Sequence, residues 1–279
     1  MDILTASGLS FRARVEGPAD GPPVILLHGF PQTSRCWTAH LDALAGAGRR
    51  AVAFDQRGYS SGARSDDVSA YKPGALVGDV LDVAEALGMT RFDLVGHDFG
   101  GSIAWMVAGH HPDRVRTLTV ASTPHPAAFR ASYKDDGDQN ERSGYMRSFR
   151  EAQRGELEAA LLADGAAGLR NVYRGLAAEA VDEYVATLSE PGALIGAVDW
   201  YRAMSGTASA STPPSSVPTL YVWSDNDPAL GRTAAEATAA LVTGPYRFEV
   251  LSGVGHWIPE LAAPRFSELL LEHLGASWD

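Results

Sequence analysis

The sequence predicts an α/β fold: a mostly parallel, doubly wound sheet carrying an inserted helical cap. Three observations predict it. Short apolar runs recur along the chain, most are separated by helix-period segments, and one long span from about Pro126 to Pro214 contains no convincing strand.

Taken in order, Leu9 to Glu16 alternates crudely in polarity and reads as an antiparallel edge hairpin partner. After the turn at Gly21-Pro22-Pro23 comes Val24 to Leu27, an apolar run suited to a strand buried on both faces. Similar runs follow at Ala51–Phe54, Phe92–Val95, Thr117–Val120, Thr219–Val222 and Phe248–Leu251. Leu76 to Leu87 and Ile103 to His110 have helical spacing, with Leu76, Val80 and Val83 as a core-facing stripe. Strands alternating with helices imply parallel pairing through crossover connections. The span 126–214 is rich in helix formers and reads as a cap inserted between two halves of one core, 1–125 and 215–279. The Pro/Ser-rich stretch from Ser211 to Pro218 reads as the linker returning to the sheet.

Bulk properties narrow the function. A formal net charge of -11 over 279 residues argues against nucleic acid or an anionic membrane as partner, because phosphate surfaces need clustered Lys and Arg. Small neutral molecules fit that balance. Met1 to Gly17 has no apolar signal core, and no stretch is long enough to span a bilayer, so a cytoplasmic protein is expected. The single cysteine, Cys36, allows neither an internal disulfide nor a thiolate metal cage, and no metal or cofactor is expected. It reads as a small buried hydrophobe.

Parallel sheets bind ligands at the carboxyl ends of their strands, which makes the residues after each apolar run the candidates for chemistry. After Val95 the chain reads Gly96-His97-Asp98-Phe99-Gly100-Gly101 and enters a helix. That is the context of a nucleophile elbow, with Asp in place of the usual Ser. The competing reading of Asp98 is a helix N-cap. After Leu251, Ser252-Gly253-Val254-Gly255-His256-Trp257 puts a histidine in a tight loop, and chain order then calls for a carboxylate between Asp98 and His256. Asp227 and Asp225 both qualify, with Asp227 favoured by its place in the loop. The loop His28-Gly29-Phe30-Pro31 follows the first central run, so the backbone N–H groups of Phe30 and Phe99 are candidates for an oxyanion hole. His28 reads as a brace for that loop, and a cis bond before Pro31 is one possibility. Attack by a carboxylate on a saturated carbon leaves an ester, which His256 and water can hydrolyse, whereas attack by serine would leave an inert ether. Epoxides and alkyl halides are therefore favoured over carboxylic esters.

These residues resemble the epoxide hydrolase branch of the α/β-hydrolase superfamily, over essentially the whole chain. The resemblance is carried by the His28–Pro31 loop, Asp55-Gln56-Arg57-Gly58-Tyr59, the elbow and the triad loops. Within the cap, Ser143-Gly144-Tyr145-Met146 and Asp199-Trp200-Tyr201-Arg202 look like the segments bearing the family's two lid tyrosines. The resemblance implies that Tyr145 and Tyr201 hold the epoxide oxygen and protonate it as the ring opens. It also supports Asp227 as the acid that orients His256, and it implies a cofactor-free opening of a largely apolar epoxide to a vicinal diol. A phenol, with an ordinary pKa near 10, is a suitable donor to a developing alkoxide.

The runner-up is a haloalkane or haloacid dehalogenase using the same triad. Phe99 and Phe30 offer no side-chain N–H to a departing halide, and Phe99 and Ser102 stand where haloacid relatives place substrate-clamping arginines. A non-catalytic ligand-binding protein is a third reading, against which stands a complete set of triad and lid residues. Trp37 and Trp257 are expected at the pocket wall. Arg57 is expected to tie the Asp55 loop, and the run Lys134 to Asp138 to be solvated surface.

Overall fold

The computed structural model describes residues 1–204 and 212–278; residues 205–211, which include Ser211 of the expected linker, and Asp279 lie outside the described residues. Eight strands form one sheet: β1 (Asp2–Leu4), β2 (Ser10–Glu16), β3 (Pro23–Leu27), β4 (Arg50–Phe54), β5 (Phe92–His97), β6 (Val115–Ala121), β7 (Thr219–Ser224) and β8 (Tyr246–Leu251). Their spatial order is β1-β2-β4-β3-β5-β6-β7-β8, antiparallel at β1-β2 and β2-β4 and parallel from there on. The antiparallel hairpin expected of Leu9–Glu16 at the sheet edge is there: β2 is its inner arm, and β1 pairs outside it. A three-residue strand with one buried side chain carries too little pattern to be read from sequence.

The core helices are α1 (Thr38–Gly46), α2 (Pro73–Ala86) and α3 (Phe99–His110), and, after β7, α10 (Arg232–Ala237), α11 (Ile258–Leu261) and α12 (Ala263–Gly275). Every residue of β5 and β7 is buried, as strands covered on both faces require. The α2 stripe of Leu76, Val80 and Val83 is buried, and Pro73 opens that helix, where a missing N–H costs nothing.

Between β6 and β7 the described residues form α4 (Pro126–Asp135), α5 (Gly137–Arg142), α6 (Gly144–Glu151), α7 (Glu156–Val172), α8 (Ala178–Leu188) and α9 (Ala193–Ala203), with no strand among them. Left-handed backbone at Asp164, Gly165 and Ala166 breaks α7 into two pieces. This insertion is fastened to the sheet by specific contacts. The Trp200 indole N–H donates to the carbonyl of Arg57 at 2.9 Å, and the Tyr173 hydroxyl donates to the carbonyl of Pro31 at 2.6 Å. Gly196 packs so closely on Gly58 that a Cβ there would lie 2.7 Å from the Gly58 Cα. Burying Trp200 and Tyr201 contributes on the order of 1.5–3 kcal/mol each to docking α9 on the core. Arg202 is held beneath it by Glu158 at 2.6 Å and Asp199 at 2.8 Å. No helix among the described residues is long and apolar enough to cross a membrane.

Candidate active site

The carboxyl ends of β3, β5, β7 and β8 meet along one edge of the sheet, under the inserted helices. Asp98 occupies the turn from β5 into α3 with φ 51° and ψ -122°. Such a backbone costs a non-glycine residue on the order of 1–3 kcal/mol and persists only where its surroundings enforce it. Here close packing enforces it. A Cβ on Gly96 would lie 2.4 Å from the carbonyl oxygen of Gly100, and one on Gly29 would lie 2.3 Å from the Asp98 Cβ. Although Asp98 stands at the N-cap position of α3, its side chain makes no capping bond. Instead Oδ1 accepts the backbone N–H of Phe30 at 2.8 Å across the gap from the β3 loop. The N-cap reading therefore fails, because the strained turn points the carboxylate away from the helix it begins.

His256 comes from the loop after β8, its Nε2 3.5 Å from Asp98 Oδ2 and its Nδ1 2.8 Å from Asp227 Oδ2. Asp227, fully enclosed in the loop after β7, also accepts the N–H groups of Ala229 at 2.8 Å and Leu230 at 3.1 Å. These bonds lock its orientation. Asp225 plays a different part. It is exposed, and it accepts Gly253 N–H at 2.7 Å and the Ser252 hydroxyl at 3.1 Å, bracing the histidine loop from outside. The structure thus brings Asp98, Asp227 and His256 together and leaves Asp225 apart.

Electrostatics follows from two carboxylates flanking one imidazole. Burial disfavours the imidazolium, but the charge and hydrogen bond of Asp227, and then those of Asp98, outweigh it and push the His256 pKa up to about 10. Burial likewise opposes ionisation of Asp98, yet His256, His97 and the Phe99 N–H hold its carboxyl below the usual range. The resting pair is a carboxylate beside an imidazolium.

A cavity of about 390 Å³ opens above Asp98, lined at its base by Phe99, Trp200 and Tyr201 and farther out by Tyr145. The Tyr201 ring packs edge-on against Phe99 at 4.7 Å and Phe30 at 5.1 Å, and the Tyr145 ring lies 6.2 Å from that of Tyr201. Burial raises both phenol pKa values, Tyr201 well above its ordinary value, and the charge of Asp98 adds to this, so both stay protonated at neutral pH.

Two expected pocket residues are elsewhere. Trp37 is wholly buried beneath the site, packed against His40 and Phe266, and does not line the cavity. Trp257 sits beside His256, 4.9 Å between ring centroids, and turns toward His97 and Tyr173 rather than the cavity. Position next to a catalytic residue in sequence does not decide which way a large ring faces. Arg57, itself in the Asp55 loop, ties that loop to α2 as expected, forking onto Asp79 at 2.5 and 2.7 Å. That loop is held by Asp55 accepting Ser34 N–H at 2.8 Å, and by His28, whose Nε2 accepts Gln56 N–H at 3.0 Å. The Phe30–Pro31 bond is cis. Leu76, expected to be core, also lines the cavity, as does Lys134 from the run expected to be plain surface.

A buried tie behind His256 has no counterpart among the expectations from sequence. His97 Nε2 contacts the His256 carbonyl at 2.9 Å and its Nδ1 contacts the Gln32 amide at 2.9 Å, while Gln32 in turn meets Glu260 at 2.6 Å. Burial lowers the His97 pKa to about 4, which leaves one N–H for two neighbours, and burial raises that of Glu260. Spacing along the sequence holds no signal for this tie, since its members come from three separate segments, around Gln32, at His97, and at His256 with Glu260.

Comparison with known proteins agrees with this geometry. The sequence profile of the family described as alpha/beta hydrolase fold matches residues 22–263. Epoxide hydrolase 3 of Xenopus tropicalis is 31% identical over 96% of this chain and 75% of its own length. The chain belongs to the epoxide hydrolase branch of the α/β-hydrolase superfamily. Epoxide hydrolase A of Mycobacterium tuberculosis is 28% identical over 98% of this chain and 96% of its own. Among solved structures, one from a study of novel epoxide hydrolases in metagenomes from hot environments superposes with a TM-score of 0.89 at 28% identity, covering 99% of this chain and 98% of its own. Against these relatives the dehalogenase alternative is not favoured, in line with the absence of a side-chain N–H at Phe99 and Phe30 in this epoxide hydrolase family member.

Proposed function

We propose that this enzyme opens a small epoxide to a vicinal diol through an alkyl ester on Asp98, beneath a cap formed by residues 126–214. The observation that carries the mechanism is the split role of the Asp98 oxygens. Oδ1 is already held by the Phe30 N–H, while Oδ2 faces His256. Oδ2 is the nucleophile: its electron pair forms a bond to an epoxide carbon as that carbon's bond to the ring oxygen breaks. The oxygen takes a proton from Tyr201 or Tyr145. The ester left behind keeps Oδ1 as its carbonyl oxygen, in the hole formed by Phe30 and Phe99.

Loss of the Asp98 charge removes one of the two supports of the imidazolium. Its proton restores the phenolate, and the freed Nε2 takes a proton from water as that water attacks the ester carbonyl. Asp227 keeps the ring oriented. The tetrahedral intermediate collapses, the diol alkoxide leaves with the proton from His256, and the Asp98 carboxyl, one of its oxygens from water, gives its remaining proton to His256, which restores the resting carboxylate and imidazolium. A cytoplasmic setting belongs to this reading, supported by a lone buried cysteine.

Repeated turnover in heavy-oxygen water tests the covalent route. The label should accumulate in the Asp98 side chain, seen as a mass increase of its peptide; an unlabelled Asp98 after many turnovers, with label only in the diol, would sink it.

A further inference from the structure

The mouth of the cavity is charged, and the charge is of one sign. Four cations line it: Arg130 and Lys134 on α4, Arg147 and Arg150 on α6. All four are exposed, which puts them at the opening rather than the base. Among the described residues that line the cavity, the only carboxylate is Asp98 itself. In a chain with 34 acidic and 23 basic residues, that excess is opposite to the bulk. Among the described residues only Glu151, 3.7 Å from Arg150, comes within ion-pair distance of any of the four. Two of the nearby acids are engaged elsewhere: Asp138 pairs with Arg142 at 2.7 Å, and Asp136 accepts the Asp138 N–H at the start of α5.

Spacing explains how the four converge. Arg130 and Lys134 are four residues apart and Arg147 and Arg150 three apart, so each pair shares one helix face. Between mouth and nucleophile the lining is apolar, with Phe129 and Met146 on the same two helices and Ile103 and Met106 below. A ligand that fills this space has a neutral stem in the apolar section and its far end among guanidinium and ammonium groups. For an exposed surface four cations with one loose ion pair among them would be ordinary. Around the entrance to an apolar cavity, in a molecule of net charge -11, they reverse the repulsion an incoming anion meets and attract it locally.

We propose that the substrate of this enzyme is an epoxide carrying an anionic group, a carboxylate or a phosphate, at the end of an apolar stem remote from the ring. This deepens the reading of the site as an epoxide hydrolase and rests on it. Arginine forks fit either anion, and exposed pairs of this kind are each worth about two- to fivefold in affinity.

The test compares three series of terminal epoxides with identical stems of increasing length, ending in a carboxylate, a phosphate monoester or a primary alcohol. At low ionic strength, kcat/KM for one anionic series should exceed that of the alcohols by roughly tenfold or more at the best stem length, the sum of several modest attractions. The better anion identifies the head group. Raising the salt from about 0.01 M to 1 M should collapse that preference, and so should the combined Arg130→Gln, Lys134→Gln, Arg147→Gln and Arg150→Gln variant. The salt arm uses the unaltered protein and does not depend on the variant folding. Alcohols opened as fast as both anions, or a preference indifferent to salt, would overturn the proposal while leaving epoxide hydrolysis standing. Conversion of none of the three series would overturn the underlying reading, and the proposal with it.

Discussion

Replacing Asp98 by Asn should lower the pKa of His256 from about 10 to near neutrality. The amide is neutral, as the ester of the reaction intermediate is, and it preserves the shape of the side chain. The magnitude follows from geometry. Asp98 Oδ2 lies 3.5 Å from His256 Nε2 with little solvent between them. Unit charges about 4 Å apart at an effective dielectric near 20 attract by about 4 kcal/mol, roughly a thousandfold in the proton's dissociation constant. In the resting enzyme His256 is charged throughout the neutral range and loses its proton only as pH rises through about 10. In the Asp98→Asn variant the remaining partner, Asp227, acts against burial alone, and the ring should become largely neutral by mild alkaline pH. The assay is an NMR titration of selectively labelled histidine in both proteins, with the variant's mass checked because its amide stands where the ester is attacked. A wild-type His256 that titrates near its ordinary value of 6.5, or one whose titration is the same in both proteins, would refute the idea that ester formation switches the base on.

Three further outcomes follow from the same geometry. His256→Gln removes the base of the second step only, so one equivalent of epoxide per active site should be consumed, diol formation should fall by about 10²–10⁴-fold, and mass spectrometry should find the adduct on the Asp98 peptide. Tyr201→Phe and Tyr145→Phe should each slow ester formation in single-turnover experiments by about 10²-fold while leaving ester breakdown nearly unchanged; equal slowing of both phases would contradict their placement as ring-opening acids. Asp227→Asn should impair ester breakdown by a factor of at least about 10², whereas Asp225→Asn, at an exposed brace, should mainly lower the melting temperature by a few degrees.

Much of the core was legible because its physics is local. Val24 to Leu27 and Thr219 to Val222 are apolar at every position or nearly so, which only a strand covered on both faces tolerates, and the site lies where such strands end. The glycines around Asp98 announced a turn too tight for side chains. Place in the loop and the family resemblance favoured Asp227 over Asp225, but both follow β7; what separates them in the structure is the direction each side chain takes from a shared loop. Trp37 and Trp257 were misplaced for the same reason. The cations of the mouth were hidden more deeply. Lys134 sits in a run that reads as solvated surface, and its meaning depends on α4 facing α6 across a cavity, an arrangement made by contacts remote in sequence.

The carbonyl of His256 accepts bonds from both His97, at 2.9 Å, and the Ser122 hydroxyl, at 3.0 Å. Both donors belong to the sheet edge, one at the end of β5 and the other just after β6. In the proposed mechanism the base is therefore registered to the nucleophile's own strand by groups of the sheet itself. Apart from the two phenols, and the bonds that Arg142 and Gln139 of α5 make to the Asp227 loop, the proposed machinery of bond making and breaking is held by the sheet and its loops rather than by α4 or α6. Sequence change in those helices can redraw the guest list while the reaction stays in tune, and the two tyrosines mark the narrow bridge that such drift has to respect.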